Sequence, residues 1–364
     1  MNSGTNLLKN IWHVIPMERD SDMNVLVTGN NGYIGSMLTK LLLEKGYGVT
    51  GLDTDYYRGC EFNSFHYPQL KQINKDIRAV TKKDLENIDA VIHLAALSND
   101  PLGELDVKLT YEINYEATVK LANLAKESGI RRFIYASTCS MYGIAGEEAV
   151  AEDFPLAPVT AYAISKVKSE EALSKMADDN FSPVFLRAST AYGIAPMLRC
   201  DLVVNNLVGW AYTTGKIRIM SDGTPWRPAI HVEDLGLAYI ACLECQIEIV
   251  HNQAFNVGQD KENYQIRDMA NVVKRVVPGC EVEYTHEHGS DSRTYKVSFD
   301  KISKELKGFA PRWDLEKGVW QLYKAYKAHG LTFDEFTGNK FIRLNQLKGL
   351  IQQKTVDEKL FWRA

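Results

Sequence analysis

Long apolar runs are missing from this 364-residue chain. No stretch approaches the roughly 20 residues that a membrane-spanning helix needs. The first 22 residues have no basic segment followed by an apolar core, so they do not read as a secretory signal. They are expected to be an extension outside the first strand, and dispensable to it. An excess of charge of one sign is missing too. Lys and Arg number 42 against 46 Asp and Glu, a net charge of −4 at pH 7. There is no basic stripe for nucleic acid or an anionic membrane. A phosphate-bearing ligand must therefore be held by local devices, helix N-termini and a few arginines.

Cysteine is sparse: Cys60, Cys139, Cys200, Cys242, Cys245 and Cys280, dispersed in a chain long enough to bury a core without staples. Reduced thiols and a cytoplasmic location are the expectation. Cys242-x-x-Cys245 lies in an apolar helical stretch with no second pair, which suits core packing better than zinc. His286-Glu-His288 lacks a third ligand, so no metal site is expected.

What is present is an ordinary globular composition, 45% hydrophobic and 24% charged, with a regular rhythm. Asn24–Thr28 is an apolar run that stops at a glycine turn. Tyr33–Lys45 repeats apolar residues at helical spacing, and Tyr47–Leu52 reads as a second strand ending at Asp53. Ala90–Leu94, Arg132–Ala136 and Val184–Arg187 are further strands, with helices over 114–128 and 161–178. Alternation of this kind predicts an α/β fold, a doubly wound parallel sheet covered on both faces. Residues 23–190 are assigned to this layer. Residues 191–340 read as a smaller mixed lobe over the carboxyl ends of the strands, with segments returning to the sheet. A helical tail is expected over 341–364, with no evident bearing on chemistry.

Gly29-x-x-Gly32-x-x-Gly35 follows the first strand and opens the first helix. The first glycine permits a tight turn, the second a close backbone approach to a pyrophosphate, and the third close packing of helix on strand. Asp53, about twenty residues on, is placed to accept hydrogen bonds from an adenosine ribose. It would repel a 2′-phosphate, and NAD is favoured over NADP. Asp76 and Ile77, where a third strand would end, are candidates for the adenine edge.

Tyr162-Ala-Ile-Ser-Lys166 puts a phenol and an ammonium on one helical face, an arrangement that favours phenolate. Tyr and Lys at this spacing occur by chance in many helices. The strand end Ser137-Thr138-Cys139-Ser140 adds hydroxyls that can orient an alcohol and stabilise its alkoxide.

The ordered set of Gly29, Gly32 and Gly35, Asp53, His93-Leu94-Ala95-Ala96, Asn114, Ser137-Thr138, Tyr142-Gly143 and Tyr162-x-x-x-Lys166 resembles the extended short-chain dehydrogenase/reductases. More narrowly it resembles the NAD-dependent epimerase/dehydratase family. The similarity continues through Ala191-Tyr-Gly193, Asn206-Leu207, Arg227–Asp234, Phe255–Gly258 and Arg293–Ile302.

The resemblance implies that Tyr162 is the acid/base, and that Lys166 holds the nicotinamide ribose and lowers the tyrosine pKa. Thr138 stands at the catalytic Ser/Thr position. It implies cofactor contacts from Tyr33, Ile34, Asp76, Ile77, Leu94, Ala95, Ala96, Asn114 and Ser137 beside the glycines and Asp53. Ser140, Asn206, Arg227 and Arg293 fall where the family holds the nucleotide-diphosphate sugar. A homodimer is also implied.

One departure stands out: the family's 4,6-dehydratases carry Asp-Glu after the catalytic Thr, and here Cys139 and Ser140 stand there. This argues against dehydration. The expected function is C4 epimerisation of a nucleotide sugar through a transient keto form. A ketosugar reductase or dehydrogenase, or a non-catalytic NAD-binding module, are the alternatives.

Overall fold

The computed structural model describes residues 23–63, 66–285 and 293–363. The expectations for residues 1–22 and for His286 and His288 lie outside these described residues.

Seven parallel strands form the central sheet: β1 (Asn24–Thr28), β2 (Gly48–Asp53), β3 (Lys71–Asn74), β4 (Ala90–His93), β5 (Arg132–Thr138), β7 (Ser182–Ala188) and β11 (Gln253–Val257). The order is β11-β7-β5-β4-β1-β2-β3. The central strands are buried on both faces, which is why β1 and β4 read as continuous apolar runs instead of alternating ones. From β1 the chain winds outward through β2 to β3, then returns to the other side of β1 at β4. The connections diverge at the carboxyl ends of β1 and β4, which opens a crevice there.

The helices that matter to that crevice are α1 (Tyr33–Glu44), α2 (Ala117–Glu127), α3 (Ala161–Lys175), α4 (Val203–Thr214), α5 (Val232–Glu244), α6 (Ile266–Val276), α7 (Leu315–His329) and α8 (Arg343–Gln352). One apolar core joins α1 and α5 to one sheet face, and a second joins α2 to the other. The C-x-x-C cysteines belong to the first of these. Cys242 is buried in α5, Cys245 is its C-cap, and both are free thiols.

A third core, including Phe62, Tyr192, Leu207, Met269, Tyr326 and Phe341, sits under α4, α6 and α7. It carries the parallel pair β9 (Lys216–Ile219) and β13 (Glu281–Tyr284). Between this lobe and the sheet lie β10 (Trp226–His231), flanked by β8 (Thr190–Tyr192) and β12 (Asn263–Gln265), and the pair β6 (Ile144–Val150) and β14 (Thr294–Val297). Among the described residues no helix is long and apolar enough to cross a membrane.

Two elements differ from their sequence expectations. The helix expected from residue 114 begins at Val107 and passes through a π-turn over Glu112–Glu116 before α2. Here the Asn114 carbonyl accepts hydrogen bonds from Thr118 Oγ1 (2.7 Å) and Ser169 Oγ (3.0 Å). These hydroxyls offer the carbonyl an alternative to the regular backbone ladder. The tail helix is short. After Gln352 the backbone turns through left-handed residues at Lys354 (φ +55°) and Leu360 (φ +61°), and residues 353–363 form an irregular strap.

Candidate active site

A cleft of about 610 Å³ runs along the carboxyl ends of β1, β2, β4 and β5 and under the lobe. At its floor Gly29 adopts φ +75°, and a Cβ there would lie 2.8 Å from the Ala95 amide nitrogen. A Cβ on Gly35 would lie 2.0 Å from the Gly29 carbonyl oxygen, so α1 approaches β1 as closely as it does only because no side chain intervenes. The N-terminus of α1 has no side-chain cap, which leaves its first-turn amides and dipole to an anion.

Asp53 closes β2 at the same opening and accepts hydrogen bonds from the Asn31 and Asp55 amides at 3.0 and 2.8 Å. Burial pushes its carboxyl up to about 6, with those two hydrogen bonds pulling the other way. Tyr33, Ile34, Asp76, Ile77, Leu94, Ala95, Ala96 and Ser137 all line this part of the cleft, and Ser137 Oγ is buried without a hydrogen-bond partner. A glycine cradle, an uncapped helix and a carboxylate at the end of β2 fit a dinucleotide. Asn114 does not line the cleft. It is 1% exposed, accepts from the Leu97 amide (2.8 Å), and donates to the Leu97 carbonyl (3.1 Å) and Ser165 Oγ (3.2 Å). These hydrogen bonds pin the loop after β4 against α3.

At the reactive end Tyr162 opens α3, whose N-cap is Thr160. Thr138 faces the Tyr162 phenol from the cleft wall, and its Oγ1 donates to Ser140 Oγ at 3.0 Å and accepts from the Ser140 amide at 3.1 Å. Lys166 is 3% exposed, donates to the Ala136 carbonyl at 2.7 Å and stands 5.9 Å from the Tyr162 ring centroid. Burial, and then the negative Asp100, hold the phenol above its usual value, outweighing the opposite pull of Thr138 and the positive Arg199 and Arg293. Burial also pushes Lys166 down to about 7. Tyr162, Lys166, Thr138 and Ser140 share one cavity wall.

Across the cleft Asn206, Arg227 and Arg293 line the lobe side. Arg293 pairs with Asp100 at 2.7 Å, Thr160 Oγ1 donates to the same carboxylate at 2.5 Å, and Arg227 donates to the Arg293 and Trp226 carbonyls. Lys75, Lys166, Arg199, Arg218, Arg227, Arg293 and Arg343 all border the cavity. A chain of slightly negative net charge thus gathers cations where a phosphate-rich ligand would lie.

The model of the NAD dependent epimerase/dehydratase family matches residues 25–258. The chain belongs to this family. A UDP-glucose 4-epimerase from Bacillus subtilis (strain 168) is 28% identical over 333 residues, covering 82% of this chain and 94% of that protein. A dTDP-glucose 4,6-dehydratase from Streptomyces griseus is 27% identical over 325 residues, covering 84% and 94%. Among solved structures, the UDP-glucuronic acid 4-epimerase from Bacillus cereus, in complex with UDP-glucuronic acid and NAD, superposes with a TM-score of 0.72. It is 26% identical and covers 84% of this chain and 99% of that one. The chain is an NAD-dependent enzyme of a family that modifies nucleotide sugars.

Other stretches that match the family hold the frame of the site. Tyr142 Oη donates to Asn256 Oδ1 at 2.6 Å, and Arg187, buried against Glu170 at 2.8 Å, donates to Tyr142 Oη at 3.1 Å. That network ties the turn after β5 to β7, β11 and α3 behind Thr138. The polar residues of the cleft that sequence reasoning missed include Asp100, Arg199, Asp201 and Arg343. Asp100 opens a single helical turn, Asp100–Gly103, and Arg199 and Asp201 lie in a loop without periodicity. Arg343 belongs to the tail, which was not expected to bear on the site, and it borders the cleft.

Proposed function

We propose that this enzyme inverts C4 of a nucleotide-diphosphate sugar through a transient 4-keto form, with Thr138, Tyr162 and Lys166 as its catalytic residues. The observation that carries the reading is a cleft lined by Thr138, Tyr162 and Lys166 together, with no carboxylate at the two positions after Thr138. Cys139 is 1% exposed, its thiol donates to the Arg187 carbonyl at 3.1 Å, and burial pushes it far above its usual pKa. Ser140 lines the cleft with a hydroxyl only. Water loss needs an acid and a base at the carbons concerned, and these positions supply neither.

Bound NAD supplies a hydride acceptor that also gives the hydride back. Tyr162 Oη takes the C4 hydroxyl proton and returns it, and the Thr138 hydroxyl orients that oxygen. Lys166 holds the nicotinamide ribose, while Ser140, Asn206, Arg227 and Arg293 hold the sugar nucleotide. A homodimer is part of the same reading and is checked by analytical ultracentrifugation.

The test is a panel of nucleotide sugars, recording NADH absorbance together with product stereochemistry. A C4 epimer without net NADH supports the reading, whereas stoichiometric NADH production or consumption replaces it with a dehydrogenase or ketoreductase. Tyr162→Phe should lower turnover by about 10²–10⁴-fold, the usual contribution of a positioned acid/base, and keep its NAD. Turnover that survives this substitution would overturn the assignment.

A further inference from the structure

We propose that Arg343 is a ligand of the dinucleotide's pyrophosphate, and that residues 343–363 form the outer wall of the adenosine half of the site. This rests on NAD dependence and not on the choice of sugar chemistry, so a failed epimerase assay would leave it standing.

Arg343 is 2% exposed, yet it sits in the last helix and borders the cleft. Its Nη2 donates to the Met197 carbonyl at 2.9 Å, and its guanidinium carbon stacks 4.1 Å from the Tyr57 ring centroid. Nη1 is buried with no hydrogen-bond partner. Burial and the neighbouring positive Arg199 both act against its charge, pulling its pKa below the usual value. A buried guanidinium with an empty donor is stable in company with an anion, and a phosphate oxygen suits its fork.

The location selects which phosphate. Met197, which takes Nη2, donates its own amide to Ser36 Oγ (3.3 Å) in the first turn of α1. Arg343 also acts electrostatically on Asp53, the carboxylate at the end of β2. It therefore neighbours both the first turn of α1 and the Asp53 carboxylate. Arg293, by contrast, stands beside Asp100 and Tyr162 at the reactive end.

The rest of the tail stitches together the two loops that wall the adenosine half. Gln346 Nε2 donates to the Tyr56 carbonyl (3.2 Å), Tyr56 Oη to the Leu360 carbonyl (2.5 Å), and Trp362 Nε1 to the Thr54 carbonyl (2.6 Å). These residues directly follow Asp53. Beyond β3, Arg78 forks the Asp76 carboxylate, donates to the Lys359 carbonyl (2.8 Å) and lies 3.8 Å over the Phe361 ring. Leu347, Leu350, Val356 and Leu360 anchor the strap in the same core as Tyr56 and Ile77. These contacts hold the loops after β2 and β3 in place around the cleft.

The test titrates ADP-ribose, adenosine and UDP into the full-length protein by calorimetry, with thermal melts to confirm folding. Arg343→Met should weaken ADP-ribose about ten- to a hundredfold, the loss of one charge-assisted hydrogen bond, and leave adenosine and UDP nearly unchanged. Trp362→Ala, whose indole is 45% exposed, should speed NADH release several-fold in stopped-flow displacement. Unchanged ADP-ribose affinity in Arg343→Met overturns the proposal. So does a loss of UDP affinity in its place, which would assign Arg343 to the sugar nucleotide. If Arg343→Met does not fold, Arg343→Lys keeps the charge and loses the fork. It should then weaken ADP-ribose several-fold, and wild-type affinity there overturns the proposal equally.

Discussion

Asp53 meets two opposed demands. Burial raises its carboxyl to about 6, above the roughly 3.9 of an unfolded aspartate. Between those values the folded chain binds the extra proton, so this group's contribution to stability falls as pH rises through that window. Hydrogen bonds from ribose hydroxyls need the carboxylate, so cofactor binding runs the other way. NAD affinity should hold above pH 6 and fall below it, approaching about tenfold per pH unit at the limit of one proton displaced. Asp53→Asn should bind more weakly and lose that dependence, which NAD titrations across this range would show. A wild-type profile flat through pH 6 would remove Asp53 from the ribose site. Asp53 and the Tyr162/Lys166 pair were legible because each lies at a fixed spacing from a turn or along one helix. Arg199 and Arg343 were not. Their side chains enter the cleft through tertiary folding, and nothing local distinguishes such arginines from surface ones.

The helix leading to α2 shows what periodicity can and cannot reveal. The apolar spacing of α2 was readable because Leu121, Ala122 and Ala125 face the sheet. The π-turn before it was not, since it depends on the Thr118 and Ser169 hydroxyls converging on one carbonyl. That turn belongs to the segment from which the Asn114 side chain reaches Leu97 and Ser165. Asn114→Ala would leave the Leu97 amide without its partner, at a cost of about 1–3 kcal/mol. Because the loop after β4 lines the cofactor cleft while Asn114 does not, NAD affinity should fall along with stability. Asn114→Asp, which keeps the acceptor for the Leu97 amide, should recover part of both. Urea denaturation and NAD titration of the two variants check this. Loss of affinity with unchanged stability would instead return Asn114 to direct contact with the cofactor. The tail gives the opposite lesson: its helical spacing was overread, because the left-handed turns at Lys354 and Leu360 break a pattern that composition alone continues.

At the scale of the molecule, the alternation of strands and helices was enough to forecast a doubly wound sheet, but not how the lobe is seated on it. That seating rests on a few buried polar contacts across the cleft. Arg199 is 5% exposed, donates to Ser98 Oγ at 3.0 Å, and grips Asp201 through Nε and Nη2 at 2.9 and 2.8 Å. Asn99 Nδ2 reaches the same carboxylate at 3.2 Å. Ser98 and Asn99 follow β4, whereas Arg199 and Asp201 precede α4, so this cluster joins sheet to lobe. Burial pushes the Asp201 carboxyl up, but the adjacent Arg199 charge wins and holds it below its ordinary value. Its stabilising effect is therefore complete at neutral pH and is lost as pH falls through that depressed value. Asp201→Asn leaves the Arg199 guanidinium buried without its counter-charge, which should cost about 3–5 kcal/mol. Breaking the exposed Lys45–Glu244 pair should change stability little. NAD binds the folded chain, so saturating cofactor should restore part of the lost stability by mass action. Denaturant unfolding of Asp201→Asn, with and without NAD, measures both effects. A variant as stable as the wild type would show that the apolar contacts of the lobe seat it without this cluster.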